Sequence, residues 1–223
     1  MIPLYDRTPL RRFPVVNYAV IAACVGVFAW EVSVGASGGE PAYEAMLRRL
    51  GVEPFRLLHW SPSSPGLPQP LTIFSAMFLH GDVLHLLGNM LYLWIFGDNV
   101  ESELGPLRYL GFYVASGIAA AGAQVALAPS SHLPMIGASG AIAGVLGAYF
   151  VLYPQSRVRT LLLFGFFARL ADVPAWFVLG VWFVLQIASS VVAGDGPGVA
   201  WWAHIGGFAF GAGVTLLLRA LSR

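Results

Sequence analysis

The stretch PVVNYAVIAACVGVFAW, residues 14–30, is apolar along almost its whole length and contains no charged residue. Its apolar residues do not alternate with polar ones, as those of a transmembrane β-strand would. In a helix, about 20 residues of this kind cross the hydrocarbon core of a bilayer, which is roughly 30 Å thick. The stretch therefore predicts a membrane-spanning helix and argues against a transmembrane barrel.

The composition of the whole chain points the same way. Of 223 residues, 57% are hydrophobic and 10% are charged, whereas about 25% of the residues of a soluble domain are charged. A chain of this length cannot enclose so much apolar surface in a core surrounded by water. The net charge of +1 gives no electrostatic support to a nucleic-acid partner. We therefore predict a polytopic membrane protein, with a single domain over residues 1–223.

Further apolar stretches predict an all-α bundle of six transmembrane helices. Between the first two spans, residues 35–82 mix Pro and Gly with apolar residues and predict a structured outer loop. Residues 160–168 are apolar but too few to span, so we expect them to lie in the interface or to pack on the cytoplasmic side. The six predicted spans are residues 14–34, 83–100, 107–128, 133–153, 174–193 and 199–218.

The arginines predict the orientation, because positive residues stay on the cytoplasmic side of a membrane. With the N-terminus inside, nine arginines are cytoplasmic and three are outside. Both termini are then cytoplasmic, and spans 2, 4 and 6 enter the membrane from the outer face. The cytoplasmic arginines are Arg7, Arg11, Arg12, Arg108, Arg157, Arg159, Arg169, Arg219 and Arg223, and the outer ones are Arg48, Arg49 and Arg56.

The N-terminal residues 1–13 precede the first span directly. They are too few and too close to the span for a transit peptide, and no clear small-residue cleavage pattern ends the span. We therefore expect the first span to be retained.

Polar residues occur at the start of span 2, in HGDVLHLLGN, residues 80–89. His85 and Asn89 are four residues apart and share one face of a helix. Such residues are costly in a membrane and need a partner or a function. They could join helices by hydrogen bonds, or they could serve as neutral donors in a site.

Span 4 carries GASG, residues 137–140, followed by Gly144. Gly140 and Gly144 form a GxxxG pair that allows close helix packing. Ser139 between glycines at a helix start is also where a nucleophile would have backbone N–H groups and the helix dipole nearby to stabilise an oxyanion.

Span 6 begins with WWAHIGGFAFG, residues 201–211, in which Gly207 and Gly211 form another GxxxG pair. His204 beside two tryptophans could be an aromatic-belt residue. It could also be the base for a nucleophile on a neighbouring helix.

The three segments together favour catalysis. Spans 2, 4 and 6 start from the same face, so Ser139, His204 and the polar face of span 2 share one depth. Glycine faces on spans 4 and 6 would bring Ser139 and His204 within hydrogen-bond reach, an arrangement suited to acyl transfer. Asp195 is nine residues from His204 in the preceding loop, so we expect a dyad rather than a triad. HExxH is absent, and we expect neither a metal nor a cofactor.

At this point the sequence resembles the rhomboid family of intramembrane serine proteases. HGDVLHLLGN is similar to the family's HxxxxHxxxN, GASG to its GxSG and AHIGG to its AHxGG, in the same order along the chain. The resemblance implies Ser139 as nucleophile and His204 as general base. It implies an oxyanion hole formed by His85, Asn89 and the Ser139 backbone N–H, and it makes Glu101 a structural acidic residue.

The same motifs suggest supporting roles for His80, Gly137, Gly140 and Gly207. Two features depart from the family pattern. A Trp-Arg pair that some members have in the first outer loop is absent near Leu71 and Thr72. Ala143 stands where some members have a tyrosine that stacks on the catalytic histidine, which changes how the ring is held.

The sequence thus predicts a protease that cleaves single-span transmembrane proteins near the outer face of a bacterial-type plasma membrane, in contact with membrane lipid. One alternative is a catalytically weak relative that binds or escorts membrane helices, although such proteins usually lack the serine or the histidine. A small-solute transporter is a second alternative, but the sequence shows no inverted repeat.

Overall fold

Helices form most of the chain in the computed structural model, which describes residues 1–63, 66–164, 167–193 and 199–221. Asp195 and Arg223 lie outside the described residues. The elements in chain order are β1 Ile2–Asp6, α1 Val15–Leu50, α2 Pro54–Leu58, α3 Gln69–Ala76, α4 Val83–Tyr92, a π-helical turn Leu93–Gly97, α5 Asp98–Leu104, α6 Pro106–Leu127, α7 Ser139–Leu152, β2 Arg157–Phe164, β3 Phe167–Pro174, α8 Ala175–Ala193 and α9 Trp201–Leu221.

Within the described residues, four helices are long and apolar enough to cross a membrane. The helix in the predicted span 133–153 is shorter than predicted, because α7 begins at Ser139 and has only 14 residues. The predicted span 83–100 is divided between α4 and α5 by the π-helical turn. The four candidate spans are Val15–Leu50, Pro106–Leu127, Ala175–Val192 and Trp201–Leu221.

Helix α1 continues beyond the membrane-spanning length that the sequence predicts. It is broken at Gly39, whose φ of 70° and ψ of −176° are not helical. Pro41 follows two residues later, and proline cannot donate a helical hydrogen bond. The residues after the break, together with α2 and α3, form the segment predicted as a structured outer loop.

The expectation of an all-α protein is wrong in one region. β1, β2 and β3 form an antiparallel three-stranded sheet in that order. Residues 160–164 belong to β2, and residues 167 and 168 belong to β3. A location in the interface or on the cytoplasmic side stays a prediction for this stretch. In β2, Val158 and Thr160 are buried while Arg157 is exposed, which is the alternation of a strand with one covered face.

Helix α7 lies at the centre of the bundle, and all of its residues from Ala141 to Tyr149 are buried. Its glycine face contacts the glycine face of α9, as the GxxxG spacing predicts. A Cβ atom added to Gly211 would lie 2.7 Å from the Cα of Gly144, closer than any real Cβ contact. The two backbones therefore touch, and only glycine fits there.

Glu101 joins α5 to the start of α1. It is fully buried, and its carboxylate accepts hydrogen bonds from the backbone N–H groups of Val16 at 3.0 Å and Asn17 at 2.6 Å. These donors belong to the first turn of α1, where backbone N–H groups have no partner within the helix. The Asn17 amide in turn donates to the Leu93 carbonyl in the π-helical turn at 2.9 Å.

Candidate active site

Ser139 is the first residue of α7, and a tight turn precedes it. Gly137 has a φ of 116°, which favours glycine, and its backbone N–H donates to the Ala76 carbonyl at 2.8 Å. A Cβ at Gly137 would also lie 2.7 Å from the Nε2 of His85. Glycine is therefore needed here both for the backbone conformation and for the close approach of His85.

Ser139 and His204 are in hydrogen-bond contact. The distance between the Ser139 Oγ and the His204 Nε2 is 2.8 Å, although the two residues are on different helices. His204 lies in the first turn of α9 and is 8% exposed. This is the geometry of a hydroxyl and a base that can remove its proton.

The other imidazole nitrogen contacts Gln186 in α8. The distance between the His204 Nδ1 and the Gln186 Oε1 is 2.7 Å. Gln186 is not among the site residues that the sequence predicts, because a carboxylate is the usual partner of a catalytic histidine and Gln186 is an amide. The available signal was a strongly hydrogen-bonding side chain in the apolar sequence of α8, at a position that must lie inside the membrane span.

Tryptophans flank the imidazole ring. The Trp182 ring centroid is 5.9 Å from that of His204, and the Trp201 ring meets it edge-on at 6.2 Å. Ala143 does not supply an aromatic ring, as the sequence indicated. The ring contacts to the imidazole instead come from α8 and from the first residue of α9.

His85 and Asn89 lie on the α4 face that is turned toward Ser139. Asp82 caps α4, because its carboxylate accepts a hydrogen bond from the His85 backbone N–H at 2.8 Å. Among the described residues, the buried Nδ2 of Asn89 has no hydrogen-bond partner. A buried amide without a partner is unusual in a native structure, and this one is available to a ligand.

His80 lies behind His85 and outside the reach of Ser139. Its ring meets the His85 ring edge-on at a centroid distance of 5.2 Å, and its backbone N–H donates to both carboxylate oxygens of Glu31 at 3.2 Å. Glu31 is a fully buried charge-bearing residue within α1. Glu31 is not among the residues that the sequence predicts for the site, although an acidic residue inside a predicted span is a signal for one.

A cavity of about 810 Å³ lies between Ser139, His204 and the polar face of α4. Its walls are mostly apolar, and its size is in the range of ligand-binding cavities. Gly140 also lines the cavity. Gly207 does not, but it packs against α7, since a Cβ added to it would lie 3.3 Å from the Cβ of Ala143. Glu101 is not part of this cavity. The side chains with polar atoms that line it are those of Asp82, His85, Asn89, Tyr92, Ser139, Trp182 and His204.

No group of three or more His, Cys, Asp or Glu side chains that could hold a metal ion occurs in the described ranges. The polar atoms around Ser139 are a hydroxyl, imidazoles and amides, which suit hydrogen bonding to a developing oxyanion.

Comparison with known proteins identifies similar proteins over most of the chain. The model of the Rhomboid domain matches residues 68–221. Rhomboid protein 1, mitochondrial, of Saccharomyces cerevisiae is 33% identical over 150 residues, which are 63% of this chain and 40% of the relative. RHOMBOID-like protein 4 of Arabidopsis thaliana is 36% identical over 151 residues, which are 66% of this chain and 34% of the relative.

A third relative is more distant. Presenilin-associated rhomboid-like protein, mitochondrial, of Homo sapiens is 29% identical over 105 residues, 46% of this chain and 27% of the relative. The matches thus span less than half the length of these three relatives. The candidate spans and the domain match make the chain an integral membrane protein. Because the domain match covers more than half of its length, the chain belongs to the rhomboid family.

Proposed function

We propose that the chain is an intramembrane serine endopeptidase in which Ser139 is the nucleophile and His204 the general base. The observation that best supports this is the 2.8 Å contact between the Ser139 Oγ and the His204 Nε2. Family membership adds support, because the two motifs that contain these residues, GASG and AHIGG, lie within the matched range.

In the proposed reaction, the His204 Nε2 accepts the Ser139 proton while the Oγ attacks the carbonyl carbon of a peptide bond. The resulting oxyanion accepts hydrogen bonds from the Ser139 backbone N–H, the Asn89 amide and the His85 imidazole. His204 then donates the proton to the leaving amine, and the C–N bond breaks. A water molecule then attacks the acyl group on Ser139 and gives its proton to the His204 Nε2. The bond between the carbonyl carbon and the Oγ breaks, His204 returns the proton to the Oγ, and the carboxylic acid product leaves.

The dimensions of α7 support a site within the membrane. Its 14 residues extend about 21 Å at roughly 1.5 Å per residue, which is shorter than the bilayer core of roughly 30 Å. If all six predicted spans cross the bilayer, the short α7 leaves Ser139 below the membrane surface. The cavity of about 810 Å³ has room for a stretch of peptide and for the water that hydrolysis consumes.

The proposed substrates are single-span transmembrane proteins. A peptide bond inside an intact helix has its carbonyl hydrogen-bonded, so attack requires local unwinding. Gly, Pro or polar residues in the substrate helix lower the cost of unwinding. The glycines around Ser139 favour a small residue at the scissile position, because they leave a confined space.

The orientation and the membrane are part of the proposal. The excess of arginines at one side places both termini in the cytoplasm and the site near the outer face. A bacterial-type plasma membrane stays a prediction from the sequence. The yeast and human relatives carry the word mitochondrial in their own names.

Labelling of the purified protein by a fluorophosphonate probe tests the nucleophile. Wild type should be labelled, and Ser139→Ala and His204→Ala should not. Ser190→Ala is the matched control, because its hydroxyl is also buried in a helix but donates to the Ile187 carbonyl at 2.8 Å. Labelling of Ser139→Ala at the wild-type rate would overturn the assignment. Absence of labelling in wild type would favour the alternative of a member that only binds or escorts membrane helices.

A further inference from the structure

The contact between His204 and Gln186 carries an inference that rests on the proposed function. We propose that Gln186 is a positioning residue that holds His204 in the tautomer and orientation needed to accept the Ser139 proton. The site then acts as a Ser-His-Gln arrangement, in which a neutral amide takes the place that a carboxylate has in a catalytic triad.

The direction of the hydrogen bond fixes the tautomer. An amide oxygen accepts hydrogen bonds and cannot donate them, so the Gln186 Oε1 at 2.7 Å requires a proton on the His204 Nδ1. A neutral imidazole has only one N–H, so the Nε2 then has a free lone pair. That lone pair faces the Ser139 Oγ at 2.8 Å. The opposite tautomer would place two lone pairs against each other at Gln186.

The amide of Gln186 is itself held in the required orientation. Its Nε2 donates to the backbone carbonyl of Trp182, four residues earlier in α8, at 3.4 Å. Reversal of the amide would turn its oxygen toward that carbonyl, so that two acceptors would face each other and the hydrogen bond to Trp182 would be lost. This contact therefore favours the orientation in which the Gln186 oxygen faces the imidazole. Gln186 is 8% exposed, so water does not readily replace either hydrogen bond.

A neutral partner suits this location. A carboxylate in an apolar, membrane-embedded position carries a large desolvation cost unless it is paired. An amide has an oxygen that accepts from the Nδ1 without placing a net charge there. It orients the ring, but it gives less stabilisation to an imidazolium than a carboxylate would. Trp182 adds a ring contact from the same helix, so α8 provides two restraints on the base.

Spectroscopy of the unmodified enzyme tests the tautomer directly. In protein labelled with ¹⁵N-histidine, the His204 signals can be assigned by their loss in His204→Ala. At neutral pH, we expect a protonated Nδ1 and an unprotonated Nε2. A proton on the Nε2 of the neutral ring would overturn the proposal, even if every variant of Gln186 were unstable.

Two variants test the effect on the reaction. Gln186→Met keeps the length of the side chain but removes the acceptor, and Gln186→Glu keeps an acceptor. Gln186→Met should lower the fluorophosphonate labelling rate and kcat by about 10- to 100-fold, the usual effect of losing an orienting partner, with little change in KM. At pH 8, Gln186→Glu should be clearly faster than Gln186→Met, because its carboxylate accepts from the Nδ1.

Gln124→Met is the matched control. Gln124 also contacts the first turn of α9, but its Oε1 accepts from the Ala203 backbone N–H at 3.2 Å and not from an imidazole. It should retain wild-type kcat and the same His204 tautomer. Equal labelling of Gln186→Met and wild type, or equally slow Gln186→Met and Gln186→Glu variants, would refute the role of Gln186. Failure of wild type to react with the probe would instead refute the proposed protease activity.

Discussion

Helices α7 and α8 each supply a side chain that is hydrogen-bonded to His204, Ser139 from α7 and Gln186 from α8, but the two helices pack on α9 in different ways. α7 is buried from Ala141 to Tyr149, and its glycines touch the backbone of α9. α8 meets its neighbours through side chains, such as the stacked rings of Phe183 and Phe208 at 4.4 Å, and Val191 is 76% exposed. The proposed nucleophile is thus carried by a helix whose backbone touches that of α9, and the partner of the proposed base by a helix that packs on α9 through side chains.

This difference explains which parts of the site can be recognised in the sequence. A backbone contact requires glycine at fixed spacing, and such a pattern is visible in one sequence. A side-chain contact between distant helices requires only a suitable residue type at one position. A single glutamine in an apolar helix does not reveal which residue it will contact.

The largest expected effect on cleavage is at Ser139, the first residue of α7. Ser139→Ala should lower cleavage of a single-span substrate by about 10⁴-fold or more, the scale seen for loss of a catalytic serine. Folding should persist, because alanine is smaller than serine and fits the same space. The measurement is kcat/KM of purified protein, with thermal unfolding to show that the variant is folded. Cleavage near the wild-type rate would show that Ser139 is not the nucleophile. The comparison would then fail, because α7 would carry no catalytic residue.

The next effect concerns α4, which like α8 contributes through side chains. Asn89→Ala and His85→Ala should each lower kcat by roughly 10- to 10³-fold, because each removes a donor to the oxyanion. Since both donors serve one oxyanion, the double variant should lose less than the product of the two effects. Measurement of kcat for the three variants checks this. Effects that multiply would assign the two residues to independent roles.

The sequence predicts the reacting groups of the site, but not several of the elements and contacts that hold them in place. The motifs predicted the Ser139 and His204 contact because catalytic groups and packing glycines occupy the same short segments. The sheet was missed because β1 is separated from β2 by about 150 residues, and short apolar runs do not distinguish strands from other structures. The late start of α7 was missed because apolarity alone does not show where a buried helix begins. The Gln186 and Glu31 contacts required the tertiary structure.

A third prediction concerns the stability of the α7 and α9 contact. Gly211→Ala should lower the free energy of unfolding by about 1–3 kcal/mol or more, the usual cost of overpacking, because the added Cβ would lie 2.7 Å from the Gly144 Cα. The atom it meets is backbone and cannot turn away as a side chain could. Thermal unfolding in detergent measures the change. Unchanged stability would mean that the helices are not held in backbone contact.

The smallest effect, and the sharpest test of the comparison, is expected at Gly180 in α8. A Cβ added there has no heavy atom within 4 Å outside its own helix segment, so Gly180→Ala introduces no clash. Alanine favours a helix over glycine by about 1 kcal/mol, and the variant should therefore be as stable as wild type or slightly more stable. Gly180→Ala and Gly211→Ala are the same chemical change on two helices that both contact the site, so each serves as the control for the other. Thermal unfolding and kcat should show a loss only for Gly211→Ala. A loss of stability in Gly180→Ala equal to that in Gly211→Ala would show that α8 is also held by close backbone contact. The distinction between α8 and the α7 and α9 contact would then fail.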